Sequence, residues 1–174
     1  MQDSPDLLRD RQAQQGLTKR IARILLDSGA QAVCMHRIAH AFYRRHLPVL
    51  PAIVRRLNIL LSGADIHPGA MLGKGVWIIH SVGIVIGKDV IVGDFCEIYG
   101  GVVLGGKGGS KEHDGHPRIG SNTVICSGAM VLGPVSVGKN VTVAAGAVVL
   151  DSMPDNCLVA GVPAVLKKMY PAQV

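Results

Sequence analysis

The chain has 174 residues and a mass of 18.3 kDa, enough for one domain with a small attachment but not for two independent cores. Hydrophobic residues make up 48% of the chain and charged residues 17%, a composition that excludes global disorder. The net charge of +6 comes from residues 1–64, which carry ten Lys and Arg against four Asp, whereas residues 65–174 carry eight of each sign. Because the arginines recur at helical intervals without interleaved Gly and aromatic residues, a solvated helix face is favoured over a nucleic-acid surface.

The cellular compartment follows from what the chain lacks. Its first residues contain no apolar segment of a signal peptide, and no apolar run is long enough to span a bilayer. The cysteines are widely spaced and form no Cys-x-x-Cys motif, so we expect free thiols and no disulfide frame. A cytoplasmic protein with no membrane span is therefore predicted.

The N-terminal segment, residues 1–64, reads as helical. Apolar residues three or four apart predict helices over residues 17–27, 30–46 and 50–61. Pro48 and Pro51 lie where the third helix begins, and Gly63 ends it. Three short helices bury little surface alone, so we expect them to pack on the rest of the chain or on a second subunit.

From residue 66 onward, aliphatic residues recur with a period of six. Fourteen positions follow this spacing, with a two-residue shift after the fourth and an interruption after the eighth: Ile66, Leu72, Ile78, Ile84, Ile86, Val92, Ile98, Leu104, Ile119, Ile125, Val131, Val137, Val143 and Val149. Six residues provide one short strand and one turn, and three such units form a triangular coil. The pattern predicts a mainly β fold, a left-handed parallel β-helix over residues 65–165, followed by a tail over residues 166–174.

One segment, residues 106–117, interrupts the repeat without aliphatic spacing. It must leave the β-helix as a projecting loop, and loops on a rigid scaffold often carry function. This loop contains His113, Asp114 and His116.

The motifs ADIHPGAMLGKG, HSVGIVIG, GGVVLGGKGG, HPRIG and AGVPA resemble the catalytic domain of the serine O-acetyltransferases. With the helical run GAQAVCMHRIAHAFYRR, the resemblance covers about residues 29–165. It implies an acetyl-CoA-dependent O-acetyltransferase of the hexapeptide-repeat family, acting in cysteine biosynthesis.

The resemblance also implies the catalytic residues. His80 occupies the position of the general base that removes the acceptor's hydroxyl proton, a task suited to imidazole near neutral pH. Asp65 matches the aspartate that orients this imidazole, and His116 matches a second histidine that positions the acceptor.

The donor, acetyl-CoA, is expected to lie along small residues that leave backbone amides uncovered. The resemblance places its pantetheine arm along Gly105, Gly106, Ser127, Gly128, Ala144 and Ala145, with Lys107 as a candidate for phosphate contact. A homotrimer or a dimer of trimers is implied. A cysteine synthase partner is implied as well, although this chain ends in Val174 where the family's docking tail closes with Ile.

Several departures from the family pattern fall on acceptor recognition. Ile79 replaces the usual Asp before the catalytic His, and Gly115 replaces the usual Arg before the loop His-Pro. Lys88 stands where Glu is common, and the region around residues 12–15 lacks the upstream Asp-Pro motif. Because the missing groups complement the ammonium and carboxylate of serine, the sequence favours another hydroxyl acceptor: a modified amino acid, a sugar or a carrier-bound intermediate.

Two other classes of function stay open on the sequence. His113-x-x-His116 has the spacing of a metal site, as in a zinc-dependent γ-carbonic-anhydrase-like lyase on the same fold, but a third ligand is not evident and no metal is expected. The other is a non-catalytic binding subunit that uses the β-helix as a docking surface.

Overall fold

The computed structural model describes residues 26–108 and 115–171, in which two helices precede a three-sided parallel β-helix. Helix α1 spans Ser28–Arg44 and helix α2 spans Leu50–Ser62. The strands that follow form three sheets, and up to the last two strands successive strands along the chain fall on successive sheets.

The sheets form the three faces of a prism. The first face contains β1 (Asp65–Ile66), β4 (Val85–Ile86), β7 (Val103–Gly105), β10 (Met130–Leu132) and β13 (Val148–Val149). The second contains β2 (Met71–Leu72), β5 (Ile91–Val92), β8 (Arg118–Ile119) and β11 (Ser136–Val137). The third contains β3 (Trp77–Ile79), β6 (Glu97–Tyr99), β9 (Val124–Ile125), β12 (Thr142–Val143), β14 (Cys157–Gly161) and β15 (Ala164–Met169). All pairings are parallel except that of β14 with β15.

The core of the prism is built from the six-residue repeat. All fourteen aliphatic positions of the repeat are buried except Leu72, which is half-buried. They stack in register between coils, as Ile66 does on Ile86 and Ile86 on Leu104. A column of branched aliphatic side chains therefore fills each side of the prism, and its burial is the main source of stability.

The helices cover the first coil. Asp27 caps α1 by accepting hydrogen bonds from the amides of Gly29 and Ala30. Helix α1 approaches β3 so closely that a Cβ at Gly29 would overlap the carbonyl oxygen of Ile78. Helix α2 ends at Gly63, which adopts a left-handed conformation with φ of 73°.

Helix α2 presents polar residues to the protein body and apolar residues to the outside. Asn58 and Ser62 are buried, and the Asn58 amide donates to the carbonyl oxygen of Ala32 at 3.1 Å. By contrast, Leu57 and Leu60 are exposed. The side of α2 that faces the rest of the protein is therefore the polar side, which carries Asn58 and Ser62.

The structure bears on the remaining predicted elements. Helices are present at the second and third predicted positions, whereas most of the first, residues 17–27, lies outside the described residues. Strand β15 continues across residue 165, where the sequence placed the end of the β-helix. No strand lies between β7 and β8 in the described residues, although 109–114 are not among them. All four cysteines are free thiols, and none of the described helices is long and apolar enough to cross a bilayer.

Candidate functional site

His80 lies at the corner between the third and first faces of the prism. It directly follows β3, its side chain is exposed, and its backbone is left-handed with φ of 57°, a conformation that non-glycine residues seldom adopt. Such local strain is typical of functional positions. Within the described residues no hydrogen bond holds the imidazole, so it is available to a ligand.

The residues below His80 on this corner are small. The register pairs Ile79 with Tyr99, Glu97 with Val124, and Val124 with Thr142. Positions 80, 100, 127 and 145 therefore follow one another down the corner, which places Ser127 and Ala145 in the column of His80. A Cβ at Gly100, the intervening position, would overlap the His80 carbonyl oxygen, so only glycine fits there.

Three of the predicted coenzyme residues on this corner are open to solvent. Ser127, Gly128 and Ala145 are exposed, while Ala144 is half-buried. A Cβ at Gly128 would meet no atom within 4 Å. The structure thus brings His80 and these four residues to one uncovered edge, with room for an extended chain beside the backbone.

His116 lies at the opposite end of the first face. Its ring rests on Gly87, where an added Cβ would stand 2.5 Å from Cδ2 and 2.7 Å from Nε2 of the imidazole. The Nδ1 atom is 3.7 Å from a carboxylate oxygen of Asp89. The His116 ring can therefore occupy this position only because residue 87 has no side chain.

The remaining predicted coenzyme residues lie at the end of β7 or directly after it, at the same end of the first face as His116. Gly87, which directly follows β4, and Gly105, the last residue of β7, occupy equivalent positions on adjacent coils, because Ile86 pairs with Leu104. A Cβ at Gly105 would meet nothing within 4 Å. Gly106 is half-buried, and the exposed Lys107 lays its methylene chain on Gly133.

The site residues therefore form two groups within one protomer. The His80 group precedes the strands of the first face and the His116 group follows them, with β4 between the two histidines. No ring contact joins the two imidazoles among the described residues. A complete site containing both histidines has to combine the two ends of this face.

Asp65 has a different partner from the one expected. Its carboxylate accepts two hydrogen bonds from Arg55, at 2.6 Å from Nε and 2.9 Å from Nη2. The expected contact with His80 is absent from the described residues, because α2 packs beside β1 and brings Arg55 onto the outward side of Asp65. Both side chains are about one third exposed, at 35% for Arg55 and 33% for Asp65.

Sequence reasoning missed Gly87, Gly100 and Arg55. The two glycines had a detectable signal, since each aligns with another small residue one coil further along. Arg55 had none, because it belongs to a run of helical arginines that also reads as a solvated face. Its role depends on the angle at which α2 meets the β-helix.

The described residues offer no cluster of metal ligands, and they show the surroundings of Gly115, one of the departures from the family pattern. No group of three or more His, Cys, Asp or Glu side chains among residues 26–108 and 115–171 could hold a metal ion. His113, Asp114 and residues 12–15 lie outside that part of the chain. At Gly115, an added Cβ would stand 2.7 Å from Cβ of Pro134, so a side chain at this position requires Pro134 to shift.

Comparison with known proteins extends these observations. Residues 116–151 match the family model described as bacterial transferase hexapeptide (six repeats). Over 140 residues, the chain is 46% identical to a serine acetyltransferase of Synechococcus elongatus, covering 80% of this chain and 57% of the relative. A serine acetyltransferase of Bacillus pumilus is 42% identical, with 80% and 64% covered.

Solved structures show the same similarity to serine acetyltransferases. The crystal structure of serine acetyltransferase in complex with coenzyme A from Brucella abortus strain S19 matches with a TM-score of 0.83 and 37% identity, covering 88% of this chain and 61% of that one. The predicted left-handed parallel β-helix is confirmed. The chain spans roughly three fifths of the length of these relatives.

Proposed function

The chain is a serine acetyltransferase-like member of the hexapeptide-repeat family, and on this premise we propose that it transfers an acetyl group from acetyl-CoA to the hydroxyl of a small acceptor. The observation that carries the proposal is the corner where the exposed His80 stands above Ser127 and Ala145. A base and an open run of backbone are what a thioester donor and a hydroxyl acceptor need side by side.

The proposed reaction assigns one proton to His80. The acceptor oxygen attacks the thioester carbonyl while the imidazole takes the hydroxyl proton, giving a tetrahedral oxyanion. Backbone amides near the glycines stabilise that oxyanion. Collapse breaks the C–S bond, forms the ester and releases the thiolate of CoA, which recovers the proton from the imidazolium. The exposed ring of His80 suits this exchange because no described residue forms a hydrogen bond with it in the structure.

The proposed role of Asp65 is to orient His80. A carboxylate has about four acceptor positions, and Arg55 uses two of them. The remaining positions would serve His80 after a rotation of the Asp65 side chain that keeps one bond to Arg55. The role requires this rotation and predicts that Asp65 affects turnover more than coenzyme binding.

We propose that the complete site forms between subunits of a homotrimer, either alone or in a dimer of trimers. Each protomer holds the His80 group at one end of the first face and the His116 group at the other. In the proposed trimer, one end of this face would lie against the opposite end of a neighbour's. Acetyl-CoA would then lie in the groove between them, with Gly105, Gly106 and Lys107 on one wall and Ser127, Gly128, Ala144 and Ala145 on the other.

The identity of the hydroxyl acceptor is a separate part of the proposal. The names of the relatives make L-serine the first candidate. Ile79 and Gly115, which stand where the family usually has Asp and Arg, favour a different hydroxyl compound.

The test is release of free CoA thiol from acetyl-CoA, followed with a thiol reagent in the presence of L-serine or a panel of hydroxy amino acids and sugars. We expect turnover that His80→Ala reduces by about 10² or more, with CoA affinity retained. Turnover with serine alone would refute the altered acceptor. Absence of both thiol release and CoA binding would favour a docking subunit, and one zinc per subunit would favour a lyase.

A further inference from the structure

A cleft of about 890 Å³ lies between the end of α1, the first turns of α2 and the start of β1. Its volume falls in the usual range for small-molecule sites of about 300 to 1,000 Å³. Its walls are largely apolar, formed by Tyr43, Leu47, Pro48, Pro51, Ile53 and Ile59. The two prolines restrict the backbone on one side, which limits collapse of the cleft.

The polar groups of the cleft carry an excess of positive charge. Among the described residues, Arg55 and Arg56 line it with His46 and His67, against one carboxylate, that of Asp65. Asp65 is already paired with Arg55 through Nε and Nη2. A guanidinium has five donors, so Arg55 keeps N–H groups for a second acceptor.

His67, on the inner wall of the cleft, lies in the same positively charged environment. His67 accepts a hydrogen bond from the amide of Gly69 at 2.9 Å through Nδ1, and the ring of Tyr43 stands edge-on to it. Burial lowers the pKa of His67, and the charges of Arg55 and Lys88 lower it further, while Asp89 and Asp65 act in the opposite direction. The inner wall therefore disfavours a further cation.

We propose that this cleft binds a small organic anion, a carboxylate attached to an apolar group. The carboxylate would meet Arg55 and Arg56, and the apolar group would lie on the wall formed by Leu47, Pro51 and Ile53. Arg55 is the main determinant because it is half-buried and already oriented by Asp65. A bidentate carboxylate contact suits its planar donors better than a neutral ligand does. The site does not depend on acetyl transfer.

Dansylglycine, a fluorescent apolar carboxylate, and its uncharged analogue dansylglycinamide provide a matched pair of probes. Titration of the full chain with dansylglycine should give a saturable rise and blue shift of dansyl emission. Dansylglycinamide should bind at least about fivefold more weakly, because it lacks the charge-assisted hydrogen bonds. Equal affinity for the two probes, or no saturable binding, would overturn the proposal.

Substitutions locate the site. Arg55→Gln should weaken dansylglycine binding about tenfold or more, and Arg56→Gln, which is exposed, about threefold. Asp65→Asn removes the carboxylate that competes for Arg55 and should tighten binding by about threefold. Arg118→Gln, an exposed arginine on β8, is the matched control and should leave the affinity unchanged.

The double variant Arg55→Gln with Asp65→Asn covers the case in which the single arginine variant unfolds, since it leaves no isolated carboxylate. It should also bind about tenfold more weakly than the unaltered chain. Loss of binding on Arg118→Gln, or unchanged binding in the double variant, would overturn the assignment. Dansylglycine binding without acetyl transfer would reject the proposed function and leave this site standing.

Discussion

The imidazole of His116 rests directly on the backbone of Gly87, the residue that follows β4 on the first face. The contact is close enough that residue 87 controls where the ring lies. Since the described residues of the loop that carries His116, 106–108 and 115–117, belong to no strand, this glycine is the rigid surface against which the histidine is placed. Proposed acceptor binding therefore depends on a residue that has no functional group.

The first prediction tests this dependence with Gly87→Ala. The added methyl group should displace the His116 ring and lower kcat/KM for the acceptor about 10- to 100-fold, as expected for a misplaced catalytic contact. The KM for acetyl-CoA should change little. Steady-state kinetics of thiol release would measure both constants.

A double-mutant comparison provides the control for Gly87→Ala. If the methyl group acts only through His116, the variant Gly87→Ala with His116→Ala should be no slower than His116→Ala alone. Further loss in the double variant would mean that residue 87 acts on the β-helix itself.

The second prediction concerns the coenzyme groove and uses Gly105→Ala. The backbone of Gly105 is not left-handed, and a Cβ there meets no atom of the chain, so the fold should tolerate alanine with an unchanged or slightly higher Tm. A methyl group in the path of pantetheine should raise the KM for acetyl-CoA about tenfold. An unchanged KM would remove Gly105 from the groove.

Much of the fold could be predicted because the repeat is written in the sequence itself. Apart from one two-residue shift and the loop over residues 106–117, an aliphatic residue recurs every six positions from Ile66 to Val149. This recurrence predicts the inward-pointing side chains, and the structure buries all of them except the half-buried Leu72. The arrangement of the site was harder to predict from the sequence. His80 and Ser127 are 47 residues apart, and only the register of β3, β6 and β9 places them on one corner. The pairing of Asp65 with Arg55 depends on how α2 meets β1, and no local pattern encodes that angle.

The third prediction measures the Arg55–Asp65 ion pair by a double-mutant cycle. Arg55→Gln and Asp65→Asn should each lower the free energy of unfolding, and the coupling energy should be about 1 kcal/mol, since both side chains are partly exposed and the pair is bidentate. Urea denaturation of the four proteins gives the cycle. A coupling near zero would show that solvent screens the pair completely.

The fourth prediction concerns His36, a histidine of α1 that is only 2% exposed. Its pKa is lowered from 6.5 to about 4, mainly by burial and further by the charges of His40, Arg37 and His67, against a backbone hydrogen bond with Ala70 that raises it. Nδ1 has no hydrogen-bond partner among the described residues. The folded chain therefore keeps this side chain neutral where the unfolded chain protonates it.

The sign of the pH dependence follows from that difference. Between pH 6.5 and about 4 the unfolded state binds more protons at His36, so stability should fall as the pH is lowered through this window. The contribution of this residue between pH 7 and pH 5 is about 2 kcal/mol. His36→Leu should reduce the pH dependence of the free energy of unfolding by that amount, whereas His46→Gln, at an exposed position, should retain it. Urea denaturation at the two pH values gives the comparison, and an unaltered pH dependence in His36→Leu would show that other groups govern the acid sensitivity of the fold.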